Sequence, residues 1–309
     1  MIYTVTLNPA IDYIMTLSDF KEGAVNRSAR EEIFFGGKGI NVSIILNCLG
    51  VSSTALGFTA GFTGEAIEQG LSAQGITTDF IRLAAGNSRI NVKLKSEHET
   101  EINGKGPVIS PDRIEKLFQK LNALKSGDIL ILAGSIPSSL PDDIYQQILS
   151  RLSEKGVLFA VDAAGTLLTS VLNHRPFLIK PNHIELGEIF GTEITAAEQA
   201  SKYARELQKQ GARNVLVSMA EQGSVLLDEK GTVISMKAPI GTAVNSVGAG
   251  DSMLAGFIAG FIQKADFSYA LSLATAAGSA TAFSAGLADK KLIYRLLEEV
   301  YILNGTAKM

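Results

Sequence analysis

Short apolar runs alternate along the chain with longer amphipathic ones. Ile2–Leu7 is an apolar run of strand length stopped by Asn8-Pro9, and an extended stretch follows through Leu17. Arg27 to Phe35 is also extended but heavily charged. The glycine cluster Gly36-Gly37-Lys38-Gly39 precedes a helix predicted over Ile40–Leu49. Thr54–Phe58 is a predicted strand, and Gly64–Gln74 a helix closed by Gly75. In Ser88–Lys95, Ile90, Val92 and Leu94 alternate with Asn91, Lys93 and Lys95, the period of a half-buried strand. Glu99–Ile102 is its predicted return partner.

From residue 110 the rhythm is regular. Pro111 opens a helix with the apolar face Ile114, Leu117, Phe118, Leu121 and Leu124. Strands are predicted at Asp128–Ala133, Val157–Val161 and Phe177–Lys180, with a helix at Pro141–Glu154. A capping box, Thr195-Ala196-Ala197-Glu198, opens a helix to Gln210. Val215–Ser218 is a strand, and Ser224–Leu227 with Thr232–Ser235 a hairpin. Three helices close the chain: Ala249–Phe261, Phe267–Ala285 and Asp289–Tyr301.

Such alternation predicts an α/β fold, a mostly parallel sheet with helices on both faces, whose ligands bind at the carboxyl ends of the strands. Asn8, Ser135, Asp162, Lys180 and Ser218 all fall at such ends. Segments 11–35 and 88–105 interrupt the rhythm and form one small antiparallel β lid. Segments 1–10, 36–87 and 106–309 form the body.

Composition narrows the function. A formal net charge of −3 excludes a broad nucleic-acid surface, so any phosphate site is local. The lone Cys48 lies in an apolar helical pattern, reads as a core residue and fits a reducing cytoplasm. No signal peptide is expected at the N-terminus. Phe267 to Ala288 carries no charge, but its Ala, Ser, Gly and Thr content predicts a tightly packed helix rather than a membrane span. His98, His174 and His183 lack metal-ligand spacing.

The candidate chemistry centres on Asn245-Ser246-Val247-Gly248-Ala249-Gly250-Asp251-Ser252, a glycine-bracketed helix start. Free backbone N–H groups there bind anions, and Gly248 and Gly250 let an anion come close. Asp251 is either an ordinary N-cap or a base acting on a nucleophile beside the anion. A Rossmann fingerprint would need glycine at Met253, and a Walker A loop would need Ser or Thr where Gly39 stands.

With Gly36-Gly37-Lys38-Gly39-Ile40-Asn41 near the front, Lys180-Pro181-Asn182-His183-Ile184-Glu185 between, and Val247-Gly248-Ala249-Gly250-Asp251-Ser252 near the end, the chain resembles the PfkB family of carbohydrate kinases. The resemblance implies a ribokinase-like three-layer α/β/α fold with a β lid. Thr6 to Asp12, Arg89 to Lys95 and Glu99 to Pro107 resemble its phosphosugar-kinase branch. The implied reaction is transfer from ATP to the C6 hydroxyl of fructose 1-phosphate. A tagatose-6-phosphate kinase is the alternative, and a non-catalytic sugar or nucleotide sensor a third.

Roles carry over by motif. Asp251 matches the general base, expected to stay readily ionised at a helix start, and Gly248, Ala249 and Gly250 match the anion hole. Asp12, Gly37 and Asn41 match the sugar site. Lys38 and Arg89 match ligands of the sugar's own phosphate, Ser135 is a further substrate contact, and Arg27 acts from the lid or a neighbouring subunit. Lys180, Asn182, Ser218, Met219, Ala220, Glu221, Gln222, Gly223, Gly250 and Ser284 match the ATP site. Glu185 matches the acid that holds Mg²⁺ largely through water, with a cap on Asn182 as its plain alternative. A monovalent cation occurs in parts of the family. The resemblance also implies a homodimer through the lid sheets.

Overall fold

The computed structural model describes residues 1–305. Across the main sheet the strands run Val233–Met236, Ser224–Leu227, Asn214–Ser218, Leu178–Ile179, Leu158–Asp162, Ile129–Ala133, Ile2–Thr6, Thr54–Ala60 and Thr77–Thr78. Ile81–Leu83 pairs further along Thr54–Ala60. All pairings are parallel except those of the hairpin Ser224–Leu227/Val233–Met236, which adds antiparallel to Asn214–Ser218. The parallel strands are apolar on both faces because helices cover both.

Alternation within single strands assigns the two layers. Leu130 and Leu132 join Leu117, Ile148 and Leu207 of the helices Pro111–Leu121, Ile144–Leu152 and Ala197–Lys209. Ile129 and Ile131 face the other way, toward Val42, Leu254, Leu273 and Leu296 of the helices Lys38–Cys48, Ala249–Lys264, Phe267–Ala282 and Lys290–Asn304.

The charge-free stretch is such a buried helix, Phe267–Ala282. It packs on Ala249–Lys264 at backbone contact. A Cβ at Gly256 would meet Leu273 O at 2.7 Å and Ala274 Cα at 2.9 Å. No described helix is long and apolar enough to cross a membrane. Cys48 is half-buried, with Sγ 3.8 Å from Ala288 O.

The lid is a second sheet, ordered Arg30–Gly36, Ala10–Thr16, Arg89–Lys95, Thr100–Asn103. Its two outer pairings are antiparallel, and they join through a parallel pairing of Ala10–Thr16 with Arg89–Lys95. The strand Arg89–Lys95 turns its polar face inward. Its polar residues Asn91 and Lys93 are buried at 7% exposure each, whereas Ile90 is 41% exposed.

Several local features were not anticipated. Gly165–Ser170 is a short helix, and Thr77–Thr78 and Ile81–Leu83 are strands too short for a periodic signal. The box before Ala197–Lys209 closes through Gln199, whose Oε1 accepts from the backbone N–H of Thr195 and Ala196, and not through Glu198.

Candidate active site

The helix Ala249–Lys264 starts at Gly248, whose φ of 80° favours glycine, and no side chain caps it. Asp251 sits inside the first turn, so the plain N-cap alternative does not hold. Its carboxylate is 4% exposed and accepts a hydrogen bond from Asn41 Nδ2 at 2.8 Å. Burial, and then the nearby Asp162, push its pKa up to about 6. The helix start therefore does not lower its pKa, although a value of about 6 still leaves it mostly ionised at neutral pH. Desolvation and a like charge outweigh the opposing pull of Lys38, Asn41 and Lys180.

Asp162, at the carboxyl end of Leu158–Asp162, is 1% exposed and organises the charges. Lys38 Nζ lies 3.3 Å from one of its oxygens and Lys180 Nζ 3.3 Å from the other. Burial opposes ionisation of Asp162, yet the two cations hold its pKa below the ordinary value. Burial likewise opposes the charge on Lys38, but Asp162, Asp251 and Glu185 raise it. A Cβ at Gly250 would lie 3.1 Å from Lys180 Nζ, so the bare backbone of this turn faces a buried cation.

The groups border one cleft of two chambers that share Gly37, Lys38 and Arg89. The smaller, about 400 Å³, is lined by Asn8 and Ser135. Arg89 Nε donates to Asn8 O at 3.1 Å, and burial lowers its pKa against the pull of Asp12. The larger, about 500 Å³, is lined by Asp12, Asn41, Lys180, Asn182, Glu185, Ser218, Gly248, Gly250 and Asp251. A cationic end thus adjoins a carboxylate and a glycine-lined helix start, an arrangement fit to hold an anionic substrate while an alcohol is deprotonated.

Of the other expected residues, Arg27, Met219 to Gly223 and Ser284 are not among those lining the two chambers. Arg27 is exposed, beyond the far rung Thr16/Arg30 of the lid hairpin, roughly 20 Å of strand from its near end. Ser284 turns its hydroxyl back to Ala280 O at 2.8 Å. Met219 is buried in the core, and Ala220–Gln222 form a single turn closed by Gly223. Asn182 and Glu185 form a complete reciprocal cap, with 2.8 Å bonds in both directions, so the plain alternative for Glu185 is realised. Its other carboxylate oxygen is outside that pair.

Asp162, Asn91, Lys93, Glu101 and Asn103 line the larger chamber without having been assigned to it. The signal for Asp162 was its place at a strand's carboxyl end. For Asn91 and Lys93 it was the polar half of the alternation.

A model of the pfkB family carbohydrate kinases matches residues 5–292. A Bacillus subtilis (strain 168) protein named 1-phosphofructokinase is 47% identical over 98% of this chain and 99% of its own. A Bacillus licheniformis protein named D-tagatose-1-phosphate kinase is 37% identical, again over 98% and 99%. The Escherichia coli phosphofructokinase-2 structure with substrates and products superposes at a TM-score of 0.91, with 26% identity over 97% of this chain and 99% of that one. Arabidopsis thaliana ribokinase, complexed with ribose and ATP, superposes at 0.78 with 22% identity, covering 96% and 98%. The fold is ribokinase-like, as expected. The tagatose relative carries its phosphate at C1 by name, where the sequence-based alternative had it at C6.

Proposed function

The chain belongs to the pfkB family of carbohydrate kinases, and from that premise we propose that it phosphorylates the C6 hydroxyl of fructose 1-phosphate with ATP in the cytoplasm, giving fructose 1,6-bisphosphate and ADP. One observation carries the assignment. A buried carboxylate and a glycine-lined helix start border the same cleft as a cationic, hydroxyl-bearing end. Arg89 and Lys38 suit the C1 phosphate, the first by a planar fork and the second as a point charge. Asp12 and Asn41 suit ring hydroxyls, and Ser135 the phosphate end.

Asp251 takes the C6 hydroxyl proton as the new O–P bond forms and the bond from the γ-phosphorus to ADP breaks. A pKa of about 6 leaves the base mostly ionised at neutral pH yet basic enough to accept the proton. The amides at Gly248–Gly250 bear charge that develops on the phosphoryl. Lys180, Asn182 and Ser218 line the chamber and suit the ATP phosphates; residues 219–223 and Ser284 are assigned to ATP by motif.

No group of three or more His, Cys, Asp or Glu side chains that could cage a metal occurs among the described residues. Glu185 nevertheless fits Mg²⁺ held mainly by water and ATP, because one carboxylate oxygen stays outside the cap. Bound Mg²⁺ would neutralise phosphate charge.

A homodimer through the lids is part of the proposal. The outward face of the lid exposes Ile33 at 56%, Ile90 at 41% and Ile102 at 60%, and in such a dimer Arg27 would serve the partner's cleft.

The likeness to a D-tagatose-1-phosphate kinase favours a second acceptor, the C4 epimer with the same free C6 hydroxyl. A sensor would have no use for the Asp251 and anion-hole set. ADP release should be measured with fructose 1-phosphate, tagatose 1-phosphate and fructose 6-phosphate side by side. Fructose 1-phosphate is expected to give the highest kcat/KM; a marked preference for the 6-phosphate refutes the assignment.

A further inference from the structure

One buried hydroxyl takes no part in the chemistry proposed for the cleft. Tyr145, on the helix Ile144–Leu152, is 0% exposed and packs in the apolar layer that holds Leu130, Leu132 and Ile148. For packing alone a phenylalanine would serve there. The Tyr145 hydroxyl instead donates to the backbone carbonyl of Gly134 at 3.0 Å. Burial, and then Asp162, push the Tyr145 pKa above the ordinary phenol value, so the group keeps its proton and stays a donor.

Gly134 follows the strand Ile129–Ala133 and lines the smaller chamber with Ser135, Lys38 and Arg89, whereas Tyr145 does not line it. The φ of Gly134, 105°, lies in the region that favours glycine. The peptide before Gly134 is fixed by its N–H, which donates to Asp162 O at 3.1 Å. The peptide after it is fixed by Tyr145. In a trans peptide the carbonyl and the following N–H point opposite ways. With the Gly134 carbonyl held into the apolar layer, the Ser135 N–H points away from that layer, to the chamber side. Among the described residues this N–H has no hydrogen-bond acceptor. The direction matters because this end of the cleft suits a phosphate, whose oxygens accept hydrogen bonds and repel other oxygens. One orientation of the peptide offers the phosphate a donor, and the opposite one offers it a carbonyl oxygen.

We infer that Tyr145 is a positioning residue for the phosphosugar: by holding the Gly134 carbonyl away from the cleft, it aims the Ser135 N–H at the substrate's own phosphate. The inference rests on the phosphosugar-kinase assignment above and adds to it a residue that touches no substrate. A glycine linkage turns over at little steric cost, so the buried hydroxyl is what keeps the donor side toward the anion.

The test is Tyr145→Phe, which removes one oxygen and keeps the ring, made alone and together with Ser135→Ala, which removes the side-chain hydroxyl and keeps the backbone N–H. Values of kcat and KM are measured with fructose 1-phosphate and ATP. Tyr145→Phe is expected to raise KM for fructose 1-phosphate roughly 5- to 30-fold, with kcat and KM for ATP unchanged. A tyrosine that only supported the fold would lower kcat or move both KM values. In the Ser135→Ala background the same rise is expected, because the N–H at that position is still there to be turned away. Should the phenylalanine variant not fold, Tyr145→Leu carries the same comparison. An unchanged KM for fructose 1-phosphate, an equal rise in KM for ATP, or no further rise in the Ser135→Ala background overturns the inference while leaving the proposed function standing. No turnover of fructose 1-phosphate by the unaltered enzyme overturns both.

Discussion

A carboxyl group raised to about 6 sets two opposing properties at one residue. Asp251 must be ionised to act as base, so kcat/KM should rise with pH through an apparent pKa near 6 and level off above it. Replacing Asp162 with Asn removes the like charge and turns Lys38 and Lys180 toward Asp251. The acidic limb should then move to lower pH, and a limb that stays put would refute this electrostatic account. Stability runs the other way. An acid with a raised folded pKa holds its proton more tightly in the fold, so stability falls as pH rises from 3.8 to about 6. Above that window the ionised group costs about 3 kcal/mol. Asp251→Asn, which keeps an acceptor for Asn41, is expected to lower kcat roughly 10²- to 10⁴-fold. It should also stabilise the protein by about 2–3 kcal/mol in urea unfolding, and a destabilised variant would contradict the cost. Asp251 was legible in the sequence because glycines bracket it. The magnitude and direction of its shift were not, because its burial and the approach of Asp162 arise only in the fold.

Among the elements, the helices Ala249–Lys264 and Phe267–Ala282 hold the site in place by close approach. Gly256→Val would drive a branched side chain into Leu273 O and Ala274 Cα. A loss of about 2 kcal/mol or more is expected, read as a lower melting temperature, with KM for both substrates unchanged if the helix start keeps its shape. The small-residue composition of this region made tight packing legible beforehand. The strand Arg89–Lys95 illustrates the opposite case. Period two correctly identified a strand with two faces, but periodicity does not say which face meets a polar cleft and which meets open water. Likewise Asn182 and Glu185 carry the same spacing whether they form a cap, hold an ion or do both.

For the whole molecule, the exposed isoleucines of the lid are the clearest unsatisfied surface. Ile33→Glu with Ile102→Glu is expected to give monomers in sedimentation, with kcat/KM for the phosphosugar falling if Arg27 acts across the interface. A dimer that persists would show that the lids are not where the copies meet. The parallel seam between Ala10–Thr16 and Arg89–Lys95 has a separate consequence, for synthesis. Parallel neighbours cannot be joined by a tight turn, and here the intervening chain builds the hairpin partner, two helices and the strands Thr54–Ala60, Thr77–Thr78 and Ile81–Leu83. A growing polypeptide therefore presents the first half of its future cover long before the second half exists. The Ala10–Thr16 strand must wait, one edge unpaired, until translation has passed residue 95, and amino-terminal fragments shorter than that should be the species most prone to aggregate.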